Sequence, residues 1–176
     1  DSLPFLNVQL PMWIAAGDED KHDWARLRLA QARAASALQP GGLAILLDCG
    51  EFDNIHPTDK RTPGERLCDV ALRVVYGMDA PESPRALGKY TQGDTLVVTL
   101  SAPVLRRETG ELLLEIAGED GAYHPVQSVT LDGTEMRLRS VAVLHPAKVR
   151  YAYVNWGKVA LFGRNGLPLA PFAFEG

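Results

Sequence analysis

The chain has 176 residues, of which 46% are hydrophobic and 23% charged, which excludes a disordered or fibrous polypeptide and allows one or two domains with real cores. Its 18 Lys and Arg against 22 Asp and Glu give a formal charge of -4 without a long basic run, so no nucleic-acid partner is expected. No apolar run approaches the roughly 20 residues of a spanning helix, no basic-then-apolar leader opens the chain, and no membrane partner is expected.

Residues 5–10, FLNVQL, read as a short buried strand ended by Pro11, followed by a loop through GDEDKHD. From Trp24, the apolar positions Leu27, Ala30, Ala34, Ala37 and Leu38 recur at helical steps until Pro40-Gly41-Gly42 stops them. Leu43 to Leu47, LAILL, is nearly uninterrupted and predicts a strand covered on both faces, which completes a βαβ unit. Thr62-Pro63-Gly64-Glu65 combines a capping hydroxyl, a proline at the first helical position and a Glu three after the cap. It predicts a helix over about 63–76, buried along Leu67, Val70, Ala71, Val74 and Val75 and stopped by Gly77.

The pattern changes after Gly77. MDAPESPRALGKY has two prolines and no period, and reads as a linker. From Thr95, short runs of β-formers alternate with turns: TLVVTL, ELLLEIAG, VQSVTL, TEMRLRSV, KVRYAYV and KVALFG. The expected organisation is an α/β region over 1–77, a linker over 78–89 and an all-β module over 90–176, sandwich-like and antiparallel. The two cysteines, Cys49 and Cys68, are expected to be buried free thiols.

Between the LAILL strand and the second helix lies CGEFDNIHPTDKR. Loops beyond the C-terminal ends of α/β strands are where ligand-handling residues collect. Asp53 and His56 form a D-x-x-H in which a carboxylate can fix the tautomer of an imidazole acting as general base. A D-x-x-H is also compatible with a turn-capping Asp beside an exposed His. Asp48, Glu51, Asp53, His56 and Asp59 cluster within twelve residues, but without the His or Cys pairs of a metal site, and no metal or other cofactor is expected. His124 and His145 each precede Pro at the edge of a β run and read as turn residues, while His22 reads as solvated. Gln9 ends its strand, which suits either substrate contact or a strand-terminal hydrogen bond.

GEFDNIHPTDKRTPGERL resembles the last motif block of the GDSL/SGNH hydrolases, in particular the sialate O-acetylesterase-like carbohydrate acetylesterases. FLNVQLP, Trp24 with LRLAQ at 27–31, LLLEIAGEDGAYHPV, KVRYAYVNW and ALFGRNGLPLAPF are similar to the same group, so the resemblance runs along nearly the whole chain. It implies a three-layer SGNH α/β/α domain followed by a β-rich tail, and a serine esterase that removes O-acetyl groups from sialic acid, other sugars or xylan. It also implies His56 as general base and Asp53 as its orienting carboxylate, although many members carry the acid two before the His, where this chain has Asn54. It favours an extracytoplasmic setting.

The family's serine block is not found here. Among Ser2, Ser36, Ser83, Ser101, Ser128 and Ser140, only Ser2 follows an Asp, and no strand or Gly precedes it to form a nucleophile elbow. The expectation is therefore the C-terminal portion of an acetylesterase, inactive alone and completed by an N-terminal part of the same polypeptide or a processed partner chain, with an O-acetylated carbohydrate as substrate. The alternative is a non-catalytic glycan-binding or structural module, with Tyr151, Tyr153 and Trp156 as an aromatic sugar platform.

Overall fold

A computed structural model describes residues 2–175. In chain order the elements are β1 (Phe5–Val8), α1 (Asp23–Ala37), β2 (Gly41–Ala44), α2 (Arg61–Val74), β3 (Ala86–Gln92), β4 (Thr95–Leu100), β5 (Val104–Arg106) and β6 (Leu114–Ala117). There follow β7 (His124–Pro125), β8 (Ser128–Asp132), β9 (Glu135–Arg139), β10 (Lys148–Tyr151), β11 (Leu161–Gly163) and β12 (Phe172–Phe174). The fold is mixed α/β, with two helices and mostly antiparallel sheets among the described residues. It divides into two compact units, Asp1–Glu82 with Val154–Lys158, and Ser83–Tyr153 with Val159–Gly176.

In the first unit β1 and β2 pair in parallel, Phe5 opposite Gly41 through Val8 opposite Ala44, with α1 as the crossover. This is the βαβ arrangement that the apolar runs imply. Gly42 lies under α2 because a Cβ there would fall 2.3 Å from Val70 Cγ1, and Val70 is 2% exposed. The buried chain beyond β2 keeps going through Ile45, Leu46 and Leu47, so the LAILL run marks burial correctly while the paired strand stops at Ala44.

The helices differ in detail from their sequence reading. On α1 the buried positions are Ala25, Arg28 and Ala35, whereas Leu27 and Leu38 are about half exposed. Small side chains let this face approach closely, and the Arg28 guanidinium donates to the Val154 carbonyl. Burial lowers the Arg28 pKa to about 10, against the pull of the Asp20 charge. α2 begins at Arg61, two residues before the expected start at 63. Asp59 Oδ1 accepts from the Arg61 and Thr62 amides at 3.0 and 3.1 Å, and an ionised carboxylate outcompetes a neutral hydroxyl as the cap. At its far end Gly77, at φ +63°, lets the Met78 amide reach back to the Leu72 carbonyl at 2.9 Å.

The second unit holds two four-stranded sheets, β3-β4-β9-β8 and β12-β10-β6-β7, and a β11-β5 pair, all antiparallel. Residues 86–89, read as linker, belong to β3, whose apolar content is too sparse to announce a strand but which pairs with β4 throughout. Leu96, Val97 and Val98 on β4 are all fully buried, so both faces of this central strand are covered. Tyr151 is likewise fully buried, 5.7 Å from Phe172, and Tyr153 lies against the Arg150 guanidinium. Trp156 belongs to the first unit, where it meets the Phe52 ring edge-on at 5.7 Å. Tyr151, fully buried, offers no face to a sugar.

Leu96→Ala opens a cavity in the strand covered on both faces and is expected to destabilise the second unit by about 2–5 kcal/mol. Leu87→Ala, at a 59% exposed position of β3, should stay within about 0.5 kcal/mol by the same thermal or urea denaturation.

Candidate active site

The segment joining the buried end of β2 to α2 is fixed first by its backbone. A Cβ on Gly50 would lie 1.9 Å from the Met12 carbonyl oxygen, so only glycine lets the two segments touch. Three residues on, the Asp53 amide donates to the Ile14 carbonyl at 3.1 Å, and Asp53 Oδ1 accepts from the Ala16 amide at 2.8 Å. Asp53 takes φ +57°, a left-handed conformation that Asp tolerates better than most residues and that these two bonds hold.

Glu51 organises the interior of the loop. Its carboxylate accepts from Asn54 Nδ2 at 2.7 Å, from the Thr58 amide at 2.7 Å and from the Thr58 hydroxyl at 2.6 Å. The Thr58 hydroxyl and amide, then the Asn54 amide, hold the Glu51 carboxyl below its ordinary pKa. Asn54 in turn accepts the His56 backbone N–H at 3.1 Å through Oδ1. The chain thus turns around Glu51 and presents His56 outward, exposed and without a ring hydrogen bond among the described residues.

The other acids of the loop also have structural partners. Asp48 forms a two-pronged pair with Arg66 at 2.6 and 2.8 Å, and Arg66 also donates to the Ile45 carbonyl at 2.7 Å. Burial opposes the Arg66 charge, but the hydrogen bonds and charge of Asp48 outweigh it and raise its pKa. Asp59 caps α2. Among the described residues no group of three metal-binding side chains occurs.

Each residue singled out from the sequence can now be placed. His56 and Asp53 share the loop; Asp53 Oδ1 is engaged by Ala16, and among the described residues no hydrogen bond reaches Oδ2 or joins carboxylate and imidazole. Gln9 is fully buried just past β1, its backbone amide bonded to the Ala44 carbonyl at 2.9 Å, and both polar atoms of its side chain lack a partner among the described residues. The structural roles of Glu51 and Asn54 were not read from the sequence, since nothing in spacing alone separates a bracing carboxylate from a reacting one. His22, read as solvated, is half-buried with Nδ1 3.3 Å from Asp20 Oδ1.

Among the described residues of this unit, neither serine is prepared as a nucleophile. Ser36 donates to the Ala32 carbonyl in its own helix, and Ser2 to the Gln39 carbonyl. Cys49 stands beside the loop, but burial first and the Asp48 charge second push its thiol up to about 12, so it stays protonated at neutral pH. Cys68 is exposed on α2 rather than buried, because it falls outside the Val70 face.

No protein-family model matches the chain, and a comparison with curated proteins finds no match. Among solved structures the chain is similar to a carbohydrate acetylesterase from Xanthomonas citri, with 34% identity and a TM-score of 0.87. The alignment covers 98% of this chain and 41% of that one, so the chain spans well under half the length of its relative. The resemblance to carbohydrate acetylesterases read from the sequence is borne out by this match.

Because the folded-state pKa of Glu51 is depressed, its contribution is complete above the ordinary glutamate value and is lost as pH falls through the folded value. Amide-exchange protection at Thr58 should therefore hold from neutral pH to the ordinary glutamate range and decline below it, and Glu51→Gln should abolish that dependence. Gln9→Met, which replaces an enclosed, unpaired amide by an apolar chain of similar length, is expected to stabilise the unit by about 1–2 kcal/mol in a denaturation series.

Proposed function

We propose that the chain is the C-terminal portion of a carbohydrate O-acetylesterase of the SGNH serine-hydrolase type. The observation that carries this reading is an exposed His56 on a loop braced by Glu51 and Asn54, in a chain 34% identical to a carbohydrate acetylesterase.

His56 is the general base. Its imidazole takes the proton of a serine hydroxyl as that oxygen attacks the acetyl carbonyl, and returns it to the sugar oxygen as the ester bond breaks. Water then attacks the acetyl-enzyme with the same imidazole as base, and acetate leaves. Asp53 is the orienting carboxylate in the complete site: Oδ1 is held by the Ala16 amide, and Oδ2 is the oxygen assigned to the imidazole, whose charged form it stabilises. Gln9, at the end of β1, shapes the same end of the sheet toward the substrate. The substrate is an O-acetylated carbohydrate, either sialic acid or an acetylated sugar or xylan.

The serine and the oxyanion donors are supplied by polypeptide outside this chain, an N-terminal part or a processed partner. An imidazole without a positioned hydroxyl and oxyanion donors loses most of the transition-state stabilisation on which acyl transfer depends.

Acetate release from acetylated xylan and from O-acetylated sialic acid tests the reading. The 176-residue chain should be inactive, a longer polypeptide that includes the serine block should be active, and His56→Ala in the longer form should lower kcat at least about a thousandfold. Activity indifferent to His56 would overturn the assignment.

A further inference from the structure

The second unit carries two adjoining cavities that the ester chemistry does not use. One, of about 380 Å³, lies between the turn at 118–124 and the loop at 141–147 and is lined by Glu119, Asp120, His124, Leu144 and His145 among others. The other, of about 390 Å³, shares Glu119 and His145 and continues past Lys89 and Thr91. Each is within the roughly 300–1,000 Å³ of small-ligand sites.

The walls are held by backbone bonds. The Ala147 amide donates to the Ala117 carbonyl at 2.8 Å, the Val143 amide to the Ser140 carbonyl at 3.1 Å, and the Val141 amide to Gln127 Oε1 at 2.8 Å. His124 is fixed opposite Ile116 in the β6–β7 ladder. Each His stands before a proline, which restricts its own backbone to extended forms. The histidines of two His-Pro dipeptides, 21 residues apart in sequence and unremarkable as separate turns, thus line one cavity.

The polar groups of the first cavity are largely uncommitted. The rings of His124 and His145 and the Glu119 carboxylate make no hydrogen bond with the described residues, and Asp120 uses one oxygen, on the Ala122 amide. The apolar share comes from Ala142, the buried Val143 and a 68% exposed Leu144. No Lys or Arg lines this cavity. In the second cavity Lys89 Nζ and the Thr91 hydroxyl are tied to the Ala147 and Pro146 carbonyls, at 2.5 and 2.8 Å.

We infer that these adjoining cavities form a carbohydrate-binding groove for a neutral oligosaccharide. Carboxylates accept from sugar hydroxyls, imidazoles both donate and accept, and the aliphatic patch meets the C–H face of a pyranose ring. Two carboxylates without a lining cation disfavour an anionic sugar in the first cavity. Because Glu119 and His145 line both cavities, successive sugar units pass across them, so an oligosaccharide binds better than a monosaccharide. No Phe, Tyr or Trp lines the groove, so the expected affinity is in the millimolar range.

The groove does not depend on the esterase reading, and its test uses the chain as it stands. In an NMR titration of the 15N-labelled protein with xylotetraose, amide shifts should concentrate at 118–124 and 141–147, with xylose binding several-fold more weakly. His145→Ala and Glu119→Gln, both at exposed positions, should each weaken binding at least about fivefold while leaving the rest of the spectrum in place. No shifts up to tens of millimolar, shifts centred elsewhere, variants that bind as the parent does, or tighter binding of N-acetylneuraminic acid than of xylotetraose would each overturn the proposal.

Discussion

When a buried strand ends, its peptide groups leave the ladder and must find new partners before the chain can reach solvent. Here that transition is made by bringing the backbone at Gly50 against the backbone at Met12, a contact that no side chain would survive. Everything in the following loop depends on that approach. It sets the distance at which Asp53 can bond both Ile14 and Ala16, and it aims Glu51 into the turn, where the carboxylate finds Asn54 and Thr58. Without it, the sequence DNIH would be a solvated tether.

The loop is unusual in how its charge is used. Four of its acids are engaged by the protein itself: Asp48 by Arg66, Glu51 by Asn54 and Thr58, Asp53 by the Ala16 amide, Asp59 by the first amides of α2. Each anion meets donors that favour its ionised form, so the segment is ordered by hydrogen bonds where there is little apolar surface to bury. For the proposed role of His56 as general base such rigidity matters, because proton transfer depends steeply on donor–acceptor geometry, and a histidine on a freely moving loop samples the productive arrangement rarely. The neighbouring thiol, kept neutral by its burial, offers no competing nucleophile.

Much of the fold was legible because its signals are local. The six apolar runs after Thr95 became β4, β6, β8, β9, β10 and β11, since alternation within a few residues reports directly on which side is covered. The strand at 86–92 was not legible: none of its residues is buried, and it is a strand through its pairing with β4, a partner whose position the residues of β3 do not encode. The start of α2 was misplaced by two residues because Asp59 and Thr62 are both good caps, and their competition is settled by three-dimensional reach. The loop between β2 and α2 was legible from the turn residues that separate two apolar patterns, whereas the bracing by Glu51 and the contact at Gly50 join segments about forty residues apart or fold a turn on itself, and spacing does not record either.

The segment Val154–Lys158 follows β10 in sequence yet belongs to the first unit. Asn155 there accepts the Trp24 amide at 3.0 Å, donates its side-chain amide to Asp23 at 2.7 Å and its backbone N–H to Asp20 at 2.8 Å, while the Asn155 carbonyl receives the Trp13 amide at 2.8 Å. The polypeptide therefore visits one unit, passes to the other, returns for five residues and leaves again. Two modules joined end to end can be recombined by a single genetic crossover at their seam, but modules threaded in this way cannot: a cut near residue 82 strands the returning segment with the wrong partner. No single peptide bond therefore divides the chain into its two units.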